Sequence, residues 1–268
     1  MKKIWLLLLF LSALSCKKEN GAPPALPYEL IVEGGINTLS VKQFLRLTRP
    51  AALSQTVVEP VRGASVTVVT GTFDFTFTET GIPGIYSANV PNNRNYDSVY
   101  TLKISYQGRS YQAADTLRAG VPIAAAYLPL TVKRSADATI SVPKHFFGVA
   151  YAQQWIIMPG DYQWDPSEFD LNDDFSYSHT YGTPNALNPL IRRERTFHAG
   201  LNDSVIIYKF SLTSAHSVYL YELFQETDWR SLLSSTPANI KGNISGNANG
   251  YFYVTDVERK KICIKDLH

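Results

Sequence analysis

Between Lys144 and Arg192 the chain carries no lysine or arginine, while Asp161, Asp165, Glu168, Asp170, Asp173 and Asp174 all fall there. Tyr151, Trp155, Tyr162, Trp164, Phe169, Phe175, Tyr177 and Tyr181 are interleaved with these acids. Acids beside exposed rings can bind sugars by stacking and hydrogen bonding, grip cations on ring faces, or anchor a partner, where Trp and Tyr are common hot spots. The same residues also read as solvated loop acids beside rings that close a core. Trp155, Tyr162, Trp164, Asp170, Asp173 and Asp174 are the candidate ligand- or partner-binding residues. Asp170, Asn172 and Asp174 alternate as oxygen ligands do in a calcium loop, but Phe175 stands where that loop needs glycine and Tyr181 where it needs a bidentate glutamate. No metal site is assigned from them. A glycosidase pair would need two of these acids at a defined separation, which a sequence does not supply.

Elsewhere the chain offers little chemistry. It has no G-x-S-x-G elbow, H-E-x-x-H, P-loop or paired C-x-x-C. His145, His179, His198, His216 and His268 show no ligand spacing to one another. No catalytic residue and no cofactor are assigned. The glycines of "IKGNISGNANGYF" lead into a strand, whereas a phosphate-binding loop opens a helix whose N–H groups face the anion. Gly242, Gly246 and Gly250 are therefore read as turn formers.

The chain opens with Lys2 and Lys3, an apolar run from Ile4 to Ser15, and Cys16. That run holds about a dozen residues against the roughly 20 that a spanning helix needs, so it reads as a secretory signal, residues 1–15. Ser12-Ala13-Leu14-Ser15 before Cys16 matches a bacterial lipobox. Cys16 is expected to be lipidated, and more than one acyl tail gives stable anchoring. Both signal lysines leave with the signal, and the remaining lysines and arginines then balance the 23 acids. Overall neutrality supplies no basic surface for phosphates, so no nucleic-acid partner is expected. Arg192-Arg193-Glu194-Arg195 reads as a solvated strand end. With Cys16 committed to lipid, Cys263 has no disulfide partner and reads as a buried free thiol.

Several elements must position these groups. The proline-rich "KKENGAPPALP" after Cys16 is a tether, residues 16–27. From residue 28 to 118 the period of two dominates. Val41, Gln43, Leu45 and Leu47 share one face, as do Phe73, Phe75 and Phe77, and Tyr100, Leu102, Ile104 and Tyr106, with turns at Gly71-Thr72 and Gln107-Gly108. The fold class is mainly β, an immunoglobulin-like sandwich over 28–118 with its aromatics in the core. Residues 119–136, with two prolines and many small residues, read as a linker. Residues 137–268 read as a second β-rich region with one helix over about 214–235, capped by a serine and stopped by Pro237.

"LIVEGGI", "ASVTVV", "GIYSANV", "YTLKISYQGRSYQAADTL", "DDF" at Asp173 to Phe175 and above all "PANIKGNISGNANGYFYV" from Pro237 to Val254 carry a resemblance over nearly the whole chain after Cys16. The chain resembles the outer-membrane lipoproteins of Bacteroidota grouped as domain of unknown function 4249. Gly35 stands where the first strand of that family usually carries an aromatic. The resemblance implies an outer-membrane location, facing the surface or the periplasm, and association with a TonB-dependent transporter. It implies no catalytic residues. The expected function is a non-catalytic lipoprotein that binds a ligand or partner; the rivals are a surface hydrolase acting on glycan or peptide and a structural envelope protein.

Overall fold

The computed structural model describes residues 28–51, 57–124, 127–146, 153–169, 177–180, 194–227 and 240–267. Cys16 and the tether, Asp170, Asn172, Asp173, Asp174, Arg192 and Arg193 lie outside the described residues, as does the expected helix beyond 227.

Seven strands come first: β1 (Leu30–Asn37), β2 (Lys42–Thr48), β3 (Ser65–Thr70), β4 (Phe73–Glu79), β5 (Ile85–Asn89), β6 (Val99–Tyr106) and β7 (Arg109–Thr116). Then follow β8 (Thr131–Arg134), β9 (Ala138–Pro143), β10 (His145–Phe146), β11 (Gln153–Pro159), β12 (Tyr177–Thr180), β13 (Glu194–Ala199) and β14 (Ser204–Ser211). The helix α1 (Ser214–Thr227), β15 (Ala248–Thr255) and β16 (Val257–Cys263) complete the order. The molecule is mainly β, as the alternation of residue types requires.

The first sheet runs β15-β1-β2-β5-β4-β3-β6-β7. Its two four-stranded halves meet through a ladder of only two pairs, Thr78↔Ser87 and Glu79↔Tyr86. They enclose one core in which Val32, Leu45, Val68, Tyr86, Leu102, Tyr111 and Phe252 take part. Strand β6 shows the cause: Tyr100, Leu102 and Ile104 are buried while the residues between them face outward. The β6–β7 turn has Gln107 at φ +50° and Gly108 at φ +74°, the conformation a two-residue hairpin demands. Along β4 the burial is graded, since Phe77 is buried and Phe73 is 65% exposed. Phe73 is thus a surface ring stacked on Phe75, and not part of the core as its spacing suggests.

The sheets do not follow the sequence halves. β15, from the C-terminal region, pairs in parallel with β1, from Leu30↔Ala248 to Asn37↔Thr255. The Asp115 carboxylate of β7 accepts the Val254 N–H of β15 at 3.0 Å, so the sheet nearly closes on itself. The stretch 119–136 is more than a linker, because it contributes β8 and buries Ile123. Gly250 sits at φ +97°, and an added Cβ there would overlap the Val32 carbonyl across the parallel ladder. Gly242 has another reason to be glycine: its missing Cβ leaves room for the Gly250 carbonyl.

The second region stacks the three-stranded sheet β13-β9-β8 on the five-stranded sheet β10-β12-β11-β14-β16. Ile140, Val142, Trp155, Ile157, Val205 and Ile207 fill the space between them. Strand β14 is apolar on both faces: Ile206, Tyr208 and Phe210 join Ile156, Met158 and Val257 in a separate cluster on the other side. A strand buried on both faces reads as a continuous hydrophobic run. The Cys263 thiol is half-buried and faces the Leu201 carbonyl at 3.6 Å.

Only Asp256 separates β15 of the first sheet from β16 of the second. Its carboxylate accepts the Thr38 hydroxyl at 2.6 Å and the Gly120 N–H at 2.8 Å. Glu258 accepts the Ile123 N–H at 2.6 Å. Charge-assisted bonds of this kind are among the stronger ones, and here they fasten residues 120 to 123 to the crossing between the sheets.

Candidate functional site

The outer face of the five-stranded sheet, α1, the β1–β15 edge and the loop after β11 bound a cleft of about 220 Å³. Strand alternation sets one wall. Phe252 and Val254 point into the first core, which leaves Tyr251 and Tyr253 on the opposite face. The helix sets another. His216, Tyr219, Leu220 and Leu223 all line the cleft, and their spacing of i, i+3, i+4 and i+7 is one helical face.

The helix is positioned by Thr213, not by a serine. The Thr213 hydroxyl accepts the His216 N–H at 3.3 Å, as an N-cap does. Its side chain also lies near enough to Asp115 of β7 and Tyr251 of β15 to favour their ionised forms. The His216 ring lies parallel to Tyr251, centroids 4.5 Å apart and 13° between planes, and to Tyr253 at 5.3 Å and 4°. Tyr219 leans on Tyr251 at 4.9 Å.

The loop after β11 brings Trp164, Glu168 and Phe169 to the third wall. Trp164 meets Phe210 edge-on, at 5.0 Å and 81°, and its backbone N–H donates to the Tyr208 hydroxyl at 3.2 Å. Phe169 lies close to Gly34, where an added Cβ would come within 3.0 Å of the ring. The Arg46 guanidinium covers the Phe169 ring at 5.2 Å and is ion-paired through Nε to Glu33 at 2.7 Å. Gly35, beside it, carries no Cβ because one would overlap the Tyr253 carbonyl.

Electrostatically the cleft leans negative. Glu33 and Glu168 line it, and among the described residues no lysine or arginine does. Burial, and secondarily the Glu33 charge, pushes the Tyr219 and Tyr253 hydroxyls up to about 12. Burial likewise raises Tyr251, with Asp115 adding in the same direction. The tyrosines are therefore neutral hydrogen-bonding groups at physiological pH.

The structure separates the residues singled out by composition. Trp164 lines the cleft. Tyr162 sits one step back, packed edge-on against Tyr208 at 6.2 Å. Trp155 lies on the opposite face of β11, 4% exposed, with the Lys209 ammonium 5.0 Å from its ring centre. That ammonium is held by the Val121 and Pro122 carbonyls, and its burial lowers its pKa. Asp170, Asp173 and Asp174 fall outside the described residues. Glu33, His216, Tyr219, Tyr251 and Tyr253 line the cleft without standing in the acidic aromatic segment. The usable signals were the alternation Tyr251-Phe252-Tyr253 and the helical spacing of His216, Tyr219, Leu220 and Leu223. Among the described residues no three His, Cys, Asp or Glu side chains gather in a group able to hold a metal ion.

No protein-family profile matches the chain. No curated protein matches it either. The resemblance to outer-membrane lipoproteins rests on the residues quoted for it alone.

Proposed function

We propose that the chain is a non-catalytic outer-membrane lipoprotein, anchored through Cys16, that binds a ligand in the aromatic cleft and serves a TonB-dependent transporter. The observation that carries the binding reading is the cleft itself. Rings from β14, β15, α1 and the loop after β11 converge on it, with a few polar groups among them, which is the composition of small-molecule sites. The lipobox before Cys16 supports the anchor, and the family resemblance supports the transporter.

The test is a mild-detergent pull-down of the lipidated chain with mass spectrometry of what co-elutes, beside a folded Glu168→Gln/Phe169→Ala variant. Recovery of a large β-barrel transporter, weakened in the variant, is the expected result. Turnover of a glycan or peptide library that the same variant abolishes, with no barrel recovered, would replace the proposal with a surface hydrolase. Replacing Cys16 with alanine should release the chain from the membrane fraction.

A further inference from the structure

The walls of the cleft differ in kind from its rim. Trp164, Phe169, Phe210, Tyr219, Tyr251 and Tyr253 supply six rings, each with a negative face. Glu33 and Glu168 supply carboxylates, and the lining includes no lysine or arginine among the described residues. Arg46 already lies over one of these rings, Phe169, and its charge is offset by Glu33. Glu168 then leaves the described lining one negative charge in excess. An anionic ligand would meet these carboxylates with no lysine or arginine among the described lining residues to receive it.

We propose that the cleft takes an organic cation, a protonated amine or quaternary ammonium group bearing short apolar substituents. The inference rests on the cleft being the binding site proposed above. Ring faces attract such a group through their quadrupoles, more strongly where water is excluded, and its alkyl groups gain from burial against the same rings. Burial is the larger cause of the raised Tyr219 and Tyr253 hydroxyls; the Glu33 charge adds to it at both, and that smaller part has the sign that favours a cation. Glu168, exposed beside the half-buried Phe169, stands where an arriving cation would be drawn in.

Calorimetric titration of the purified lipoprotein in an uncharged detergent tests this with three probes: choline, its uncharged carbon isostere dimethylbutanol, and a neutral monosaccharide. Choline should bind roughly tenfold or more tightly than the isostere, the margin that a desolvated cation–π contact supplies. Glu33→Gln/Glu168→Gln should weaken choline roughly tenfold and leave the isostere unchanged. Asp74→Asn, at an exposed acid outside the cleft lining, should retain choline binding and show that the loss in the double variant belongs to the cleft's carboxylates. Equal binding of choline and the isostere, or preferential binding of the sugar, would overturn the cation and leave the cleft as the site. Binding of no probe to a folded protein would overturn the cation; the pull-down and the compound panel described below then decide the site separately.

Discussion

Asp115 shows how one residue can tie the cleft to the fold. Its carboxylate is buried and accepts N–H groups from Val254 and Thr116, at 3.0 and 2.9 Å. Burial outweighs those donors and holds its pKa above the ordinary 3.8. Because the folded value is the higher one, the folded chain holds a proton that the unfolded chain has lost between the two values. The contribution of Asp115 to stability is therefore greatest below pH 3.8 and declines as pH rises toward the folded pKa. Asp115→Asn removes the titration. Urea unfolding from about pH 3.5 to 7 should show the wild type losing stability relative to the variant as pH rises. A wild type that gains on the variant over that range would contradict the assignment.

At the scale of elements, α1 depends on its first turn. Thr213 caps the helix, so Thr213→Ala removes a cap and leaves the His216 N–H without its acceptor. Loss of a cap costs about 1 kcal/mol, up to about 2, which is roughly 2–8 °C in Tm for a chain of this size. Thr213→Ser keeps the hydroxyl and should recover most of it; an unchanged Tm in the alanine variant would remove Thr213 from its structural role. The strands were legible from their burial: β6 of the first sheet alternates and β14 of the second is continuously apolar, and each pattern states how many faces its strand buries. The helix was legible in place but not in purpose. Its cleft-facing row mixes His216 and Tyr219 with Leu220 and Leu223, and a polar aromatic row gives a weak apolar stripe. Trp155 and Trp164 look alike in sequence, yet strand parity sends Trp155 into the core with Ile157 while the loop returns Trp164 to the opposite side of the sheet.

For the whole molecule the decisive feature is the pairing of β1 with β15, contributed by opposite ends of the chain. No local signal specifies such a partner, since strand alternation fixes which face is buried and leaves the neighbour open. With β15 in the first sheet, β16 in the second and Asp256 bonded to Thr38 and Gly120 at the crossing, neither region is complete without the other. Calorimetry should accordingly show one transition whose calorimetric and van't Hoff enthalpies agree; two separated transitions would contradict the shared sheet. The same crossing holds Tyr251 and Tyr253 against α1, so the cleft exists only in the assembled molecule. Its role as a binding site is tested most directly by thermal unfolding of the full lipoprotein against a panel of small amines, sugars and neutral alcohols, in parallel with Tyr219→Leu and Phe169→Ala variants that remain folded. A ligand present at about 100 times its Kd stabilises by about 2.7 kcal/mol, or roughly 5–10 °C in Tm. A shift of that size from at least one compound, lost in both variants, is the result expected; no shift from any compound, or a shift that both variants retain, would contradict the cleft as the binding site.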